Sequence, residues 1–278
     1  MVAFSVHEAA YAALMPSDPA SKCTATTALA RAFQEGKVSI QTGEDDPAAI
    51  PVPGRPARPV LVPPGEVPRR KTGSREGHAA LLHAIAHIEF NAINLALDCV
   101  HRFRAMPVAF HQDWVRIAAE EAHHFGLVQA RLSALGFAYG DFPAHNGLWE
   151  MACRTAHDVL VRMALVPRVL EARGLDVTPV IMEKLRSAGD PESVAVLEVI
   201  LQDEIGHVAA GDYWFRQQCS LRGLDPETTY FEMIRVFNAP HPQPPLHEAA
   251  RRIAGFSDYE LRRLVQDAGR VPSSGKTL

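Results

Sequence analysis

One three-part signature occurs twice in this chain: a lone Glu, a gap of some thirty residues, then Glu-x-x-His. Glu89 precedes Glu121-Ala-His-His124, and Glu171 precedes Glu204-Ile-Gly-His207. On a helix, positions i and i+3 are neighbours on one face, so Glu-x-x-His offers a carboxylate and an imidazole to the same point. A helical bundle that holds two metal ions between four helices needs this inventory: one carboxylate from each of two helices and Glu-x-x-His from each of the other two. A single Glu-x-x-His arises by chance in many helices. The repetition is what constrains the chain.

The flanking sequence is helical in period. Residues 75–104 carry Leu82, Ile85, Glu89, Ala92, Ala96 and Cys99 on one face and stop at Ala105-Met-Pro107. Residues 108–135 place Trp114, Ala118, Glu121, Phe125, Val128, Leu132 and Leu135 in heptad-like positions and end at Gly136. A third pattern spans 148–173 and ends at Gly174. Thr178-Pro179 then reads as a cap and first-turn proline opening a short helix that closes near Gly189. Asp190-Pro191-Glu192 gives the same start signal for a fourth long helix over 191–221, with Leu197, Leu201, Glu204 and Val208 inward. The midpoint of Glu89 and Glu121 falls at the first turn, and that of Glu171 and Glu204 beside Gly189. In an antiparallel pair each lone Glu therefore meets its Glu-x-x-His at equal depth. The connection over 136–147 is long enough, at about 3.3 Å per residue, to run the length of a bundle.

Outside these helices the texture changes. Residues 7–36 predict one or two helices, the second starting at Ser17-Asp-Pro and facing Ala28, Leu29, Ala32 and Phe33 inward. Eight prolines crowd residues 46–74. Proline removes backbone donors and fixes φ, so this segment is an extended strap, either draped on the bundle or acting as a linker. After a second proline cluster (Pro240, Pro242, Pro244, Pro245), helical stretches follow near 246–254 and 258–267. The expected organisation is an N-terminal helical extension (1–45), a strap (46–74), a four-helix bundle (75–223) and a C-terminal helical extension (224–278). The fold class is all-α, a ferritin-like four-helix bundle with one long crossover.

The carboxylates in these stripes need partners. Glu121 lies between Ala118 and Phe125, where an unpaired carboxylate costs several kcal/mol. Arg116 and Arg131 are the nearby cations, and neither shares the inward face. The overlapping Glu120–His123 pair falls on the solvated side. Glu204 takes the corresponding inward position in the fourth helix. Glu171 sits close to Pro167 and Gly174, and His157 and Asp158 are the alternatives for that position. Asp98 and Asp203 are candidates to orient the two histidines. Four carboxylates and two imidazoles suit two ions of Fe or Mn rather than a Cys-rich zinc site. Such a centre supports O2 activation, peroxide chemistry or iron oxidation.

Composition closes off other classes. The net charge of −4 gives no global basic field for nucleic acid. No uninterrupted apolar run reaches the ~20 residues of a spanning helix, and the start has no basic leader. Cys23, Cys99, Cys153 and Cys219 form no Cys-x-x-Cys, as in a cytoplasmic protein with free thiols.

The segments around His-Ala-Ile-Ala-His-Ile-Glu89, Glu-Glu-Ala-His-His124-Phe, Tyr-Gly-Asp-Phe-Pro-Ala-His, Val-Pro-Arg-Val-Leu-Glu171 and Asp-Glu204-Ile-Gly-His207 resemble a bacterial ferritin-like family known only as a domain of unknown function. The resemblance extends over nearly the whole chain. More distantly it is similar to the diiron monooxygenases that hydroxylate a modified tRNA base, whose third-helix motif Glu171-Ala-Arg echoes. The resemblance implies the bundle and the six metal ligands, and no substrate. The leading expectation is an O2-dependent diiron or dimanganese oxidoreductase acting on a small molecule. A tRNA substrate would rely on Arg69-Arg70-Lys71, Arg251-Arg252 and Arg262-Arg263 and ranks low. Metal handling without an organic substrate and a structural or interaction bundle are the alternatives, and a homodimer is compatible with the strap.

Overall fold

The computed structural model describes residues 4–40, 47–68 and 73–269. Among them the only strands are the two-residue pair β1 (Phe4–Ser5) and β2 (Val38–Ser39), joined in parallel; every longer element is helical. The chain divides into two compact units, residues 1–153 and 154–278, so the division falls inside the 75–223 segment.

The first unit contains α1 (Val6–Leu14), α2 (Pro19–Gln34), α3 (Arg75–Arg102) and α4 (Val108–Ala134). α3 pairs with α4, α1 with α3, α2 with α4 and α1 with α2, so the pairings close a ring. The N-terminal helices are thus built into this unit. Ser74 caps α3 by accepting from the Gly77 N–H, and Asp18 does the same for α2 through Ser21. The inward face of α2 differs from the expected one: Lys22, Thr26, Leu29 and Ala30 are buried, whereas Ala28 is exposed. α3 is long and apolar enough to cross a membrane, but 72% of its most apolar stretch is buried inside the protein.

The described part of the strap, 47–68, lies on this unit as an irregular chain. Leu61 forms a β-bridge with Ala144, and the indole of Trp149 donates to Pro51 O. Gly54 passes so close to the end of α1 that a Cβ there would overlap the carbonyl of Met15. The 136–147 connection is tied down in turn. Gly140 N–H donates to His83 Nε2, and His87 bonds both Tyr139 Oη (2.9 Å) and His145 O (3.0 Å). The helix α5 (Gly147–Arg154) follows.

In the second unit the third pattern departs from expectation. Its expected start at 148 is α5, but the helix is interrupted at 155–158; it resumes as α6 (Val159–Leu165), passes through a π-helical turn (Val166–Glu171) and continues without a break as α7 (Ala172–Ser187). The break has local causes: Asp158 caps α6 at Leu160 N–H, and Thr155 takes the Arg162 Nε–H. Neither Gly174 nor Pro179 ends the helix; the stop comes at Gly189, which adopts φ +76°. The π turn accommodates Pro167, whose ring has no N–H to give an α-helical ladder. α8 (Pro191–Leu221) packs along α6, the π turn and α7. α9 (Pro226–Val236), α10 (Glu248–Ile253) and α11 (Asp258–Ala268) complete the unit. Arg168, in the π turn and fully buried, pairs with Asp212 (2.8 Å) and Glu260 (2.6 Å) and is enclosed by the rings of Phe215, Tyr230 and Phe256. Tyr230 donates back to Arg168 O. The C-terminal helices thereby hold the turn that carries Glu171.

Candidate metal centre

In the first unit α3 supplies Glu89, and α4 supplies Glu121 and His124 one turn apart. All three are buried, at 4%, 1% and 0% exposure. His124 Nδ1 lies 3.4 Å from Glu89 Oε2 and 3.4 Å from Glu121 Oε2. One donor atom from each of the three residues lies within 4.8 Å of the others, so this buried Glu/His cluster could hold a metal ion. Burial alone would strip the charge from His124. The hydrogen bonds and Coulomb attraction of Glu121 and Glu89 outweigh it and push the imidazole up to about 11. Two carboxylates at this depth favour a positive charge between them. A metal ion answers the same electrostatic demand.

The competing partners are engaged elsewhere. Arg116 pairs with Glu120 at 2.6 Å, and His123 is exposed, so the overlapping Glu-x-x-His faces solvent. Asp98 is bound to Arg102 at 2.8 Å. His83 and His87 hold the 136–147 connection, and burial lowers both to about 4, so both are neutral at pH 7. Phe90, Phe125 and Tyr139 form an aromatic cluster with centroids 5.2–5.6 Å apart. Phe90 and Phe125 directly follow Glu89 and His124 in sequence.

In the second unit α8 places Glu204 and His207 one turn apart, with His207 Nδ1 3.6 Å from Glu204 Oε1. His207 is fully buried and the Glu204 side chain is 13% exposed. Glu171 is the last residue of the π turn, which packs on α8. The two alternatives to Glu171 have structural work of their own. Asp158 caps α6 and takes a two-pronged contact from Arg222 at 2.6 and 2.7 Å. The ring of His157 stacks on Phe237. Asp203 is half-buried on α8.

Two elements of this region escape a reading by motif: the π turn and the Arg168 cluster. Pro167 inside a helical pattern was the visible signal for the first. For the second, the partners Glu260 and Tyr230 lie far along the sequence and leave no local trace. The basic clusters are also accounted for in part. Arg251 is buried against Asp176 (2.7 Å), and Arg252 is shared between Glu248 and Asp258. Arg69-Arg70-Lys71 lies outside the described residues. All four cysteines are free thiols.

A family model described as "Protein of unknown function (DUF455)" matches residues 15–262. A Haemophilus influenzae protein, described only as uncharacterized, is 45% identical over 259 residues, which covers 90% of each chain. No solved structure matches the chain.

Proposed function

Given that the chain belongs to this family of unknown function, we propose that it is a dinuclear Fe or Mn protein of ferritin-like type, acting as an O2-dependent oxidoreductase on a small molecule. The observation that carries the reading is the buried Glu89–Glu121–His124 cluster. It is supported by the repetition of the same signature in Glu171, Glu204 and His207. The donor set fits the ions: carboxylate oxygens and imidazole nitrogens with no thiol among them favour Fe or Mn over structural zinc. In this reading Glu89, Glu121, His124, Glu171, Glu204 and His207 would be the ligands of two ions.

Metal ions bound there would supply the redox chemistry. The residues supply everything around it. Glu89 and Glu121 would provide negative charge, and His124 would bind through a neutral ring nitrogen. Phe90 and Phe125, both buried, directly follow Glu89 and His124 and make their surroundings apolar. Burial strengthens each of these electrostatic contacts relative to water. The engagement of Arg251 and Arg252 with acidic partners argues against a tRNA substrate, since these guanidinium groups are not offered to phosphates. A cytoplasmic location and a homodimer belong to the same proposal.

Oxygen uptake tests it. Protein loaded anaerobically with Fe(II) should consume O2 on mixing, and Glu121→Ala should not. Uptake by the variant equal to that of the parent would remove the proposed centre from the chemistry.

A further inference from the structure

We propose that the space between the proline strap and α3 binds a single water molecule, held by the side-chain amide of Asn94. His87, Phe90, Asn91 and Asn94 follow one another at the i, i+3, i+4, i+7 spacing of one helix face, and all four border this space together with the strap and Tyr139. Its enclosed room is that of about one water molecule.

Asn94 is the side chain that points to the ligand. It interrupts the buried apolar run Ala92-Ile93 and Leu95-Ala96-Leu97, is itself fully buried, and neither its amide oxygen nor its amide nitrogen has a hydrogen-bond partner among the described residues. Burying both halves of an amide unbonded gives up their hydration without return, so such groups are nearly always bonded to protein or to an ordered water. The other polar groups on this face are engaged. Asn91 donates to His87 O at 2.8 Å. His87 donates from Nε2 to His145 O (3.0 Å), which leaves Nδ1 to accept the Tyr139 hydroxyl (2.9 Å).

The chemistry of the amide selects the ligand. It presents a donor beside an acceptor, so a partner that satisfies both must accept and donate at once. Water does so: lying against the end of the amide, it accepts from Nδ2–H and donates to Oδ1. A halide only accepts, an inorganic cation has no hydrogen to donate, and dioxygen has no donor. The walls also offer acceptors for the water's second hydrogen. Tyr139 Oη keeps a lone pair once its proton is directed at His87, and Pro53, Pro56 and Pro59 of the strap have a main-chain carbonyl but no N–H. A water held in this way joins α3 to a strap that has few donors of its own. None of these residues belongs to the proposed metal set, so the inference stands or falls separately from that reading.

The test is a high-resolution crystal structure of the metal-free 278-residue chain, grown with bromide in place of chloride, together with magnetic relaxation dispersion of water oxygen-17 in solution. A single density peak should lie within about 3.2 Å of both Asn94 Nδ2 and Oδ1 and give no anomalous signal. Asn94→Leu, whose larger apolar side chain fills the place of the amide and of the water, should hold one long-lived water fewer than the parent. No peak at the amide, an anomalous signal there, or a count of long-lived waters unchanged in Asn94→Leu overturns the proposal. Should that variant fail to fold, the density in the parent decides alone.

Discussion

Gly211 and Gly206 lie on the same helix, yet a methyl group added to each should act in opposite directions. In α8 either change to Ala gains about 1 kcal/mol of helix propensity. At Gly206 a Cβ meets nothing within 4 Å, so that gain is realised. At Gly211 a Cβ would lie 2.2 Å from Cβ and 2.3 Å from Cγ of Pro167, well inside any allowed contact. The clash is with a rigid ring in the π turn, itself fixed through Arg168 to Asp212 and Glu260, so neither side can yield easily. Overpacking of this kind costs about 3 kcal/mol at the upper end of its range. Subtracting the propensity gain leaves about 2 kcal/mol of net destabilisation. For a chain of this size that lowers the melting temperature by about 4–8 °C, while Gly206→Ala raises it by about 2–4 °C. Thermal unfolding of the metal-free protein by circular dichroism measures both. If Gly211→Ala is as stable as Gly206→Ala, the close seating of the π turn on α8 is wrong, and the argument for how Glu171 is positioned goes with it.

Other perturbations follow from the same contacts. Arg168→Met should cost about 3–5 kcal/mol, because it leaves Asp212 and Glu260 buried with Arg216 as their remaining cation. Burial already pushes the Asp212 carboxyl up despite the two guanidinium groups beside it. Arg168→Lys should rescue little, since an ammonium cannot span both carboxylates and stack among three rings; chemical denaturation compares the two variants. Lys22 is fully buried beneath α1, bonded to Leu14 O, and burial lowers it from 10.5 to about 7. A lysine whose folded value lies below its unfolded value penalises folding. The penalty is present in full below about pH 7 and is relieved as pH rises from there toward 10.5. Lys22→Met should therefore raise the melting temperature at pH 6 and lose most of that advantage by pH 10. A gap that stays constant with pH would show that Lys22 is not buried as described.

Much of the fold is legible in the sequence because strong local signals agree with burial. Ser74, Pro107 and Asp190-Pro191 mark the starts of α3, α4 and α8, and the stripes through Glu89 and Glu121 are buried as their spacing requires. α9 opens on Asp225-Pro226-Glu227, the same signal as α8, although no helix was expected there. Legibility fails where a breaker competes with packing. Gly174 and Pro179 read as boundaries, but Ala172, Leu175, Met182 and Leu185 form one buried stripe running past both. Burying such side chains at about 1.5–3 kcal/mol each outweighs the roughly 3 kcal/mol a single interior proline costs. The break before α6 has no Gly or Pro to announce it; it rests on the Asp158 cap, and that carboxylate is also held by Arg222, 64 residues away. The inward face of α2 was misread for a related reason: Lys22 is polar, and only the Leu14 carbonyl and the Phe90 ring beneath it make its burial tolerable. At the candidate site the Glu and His positions and their spacing along each helix could be read directly. The meeting of both with Glu89 could not, because Glu89 lies on a different helix from Glu121 and His124.

Elemental analysis tests most directly the proposal that the chain binds two metal ions through its two copies of the signature. Protein purified under reducing conditions with Fe and Mn supplied should carry close to two of these ions per chain. Glu121→Ala and Glu204→Ala, one change in each copy, should each lose them. A protein without stoichiometric metal, or metal that survives both substitutions, would contradict the account.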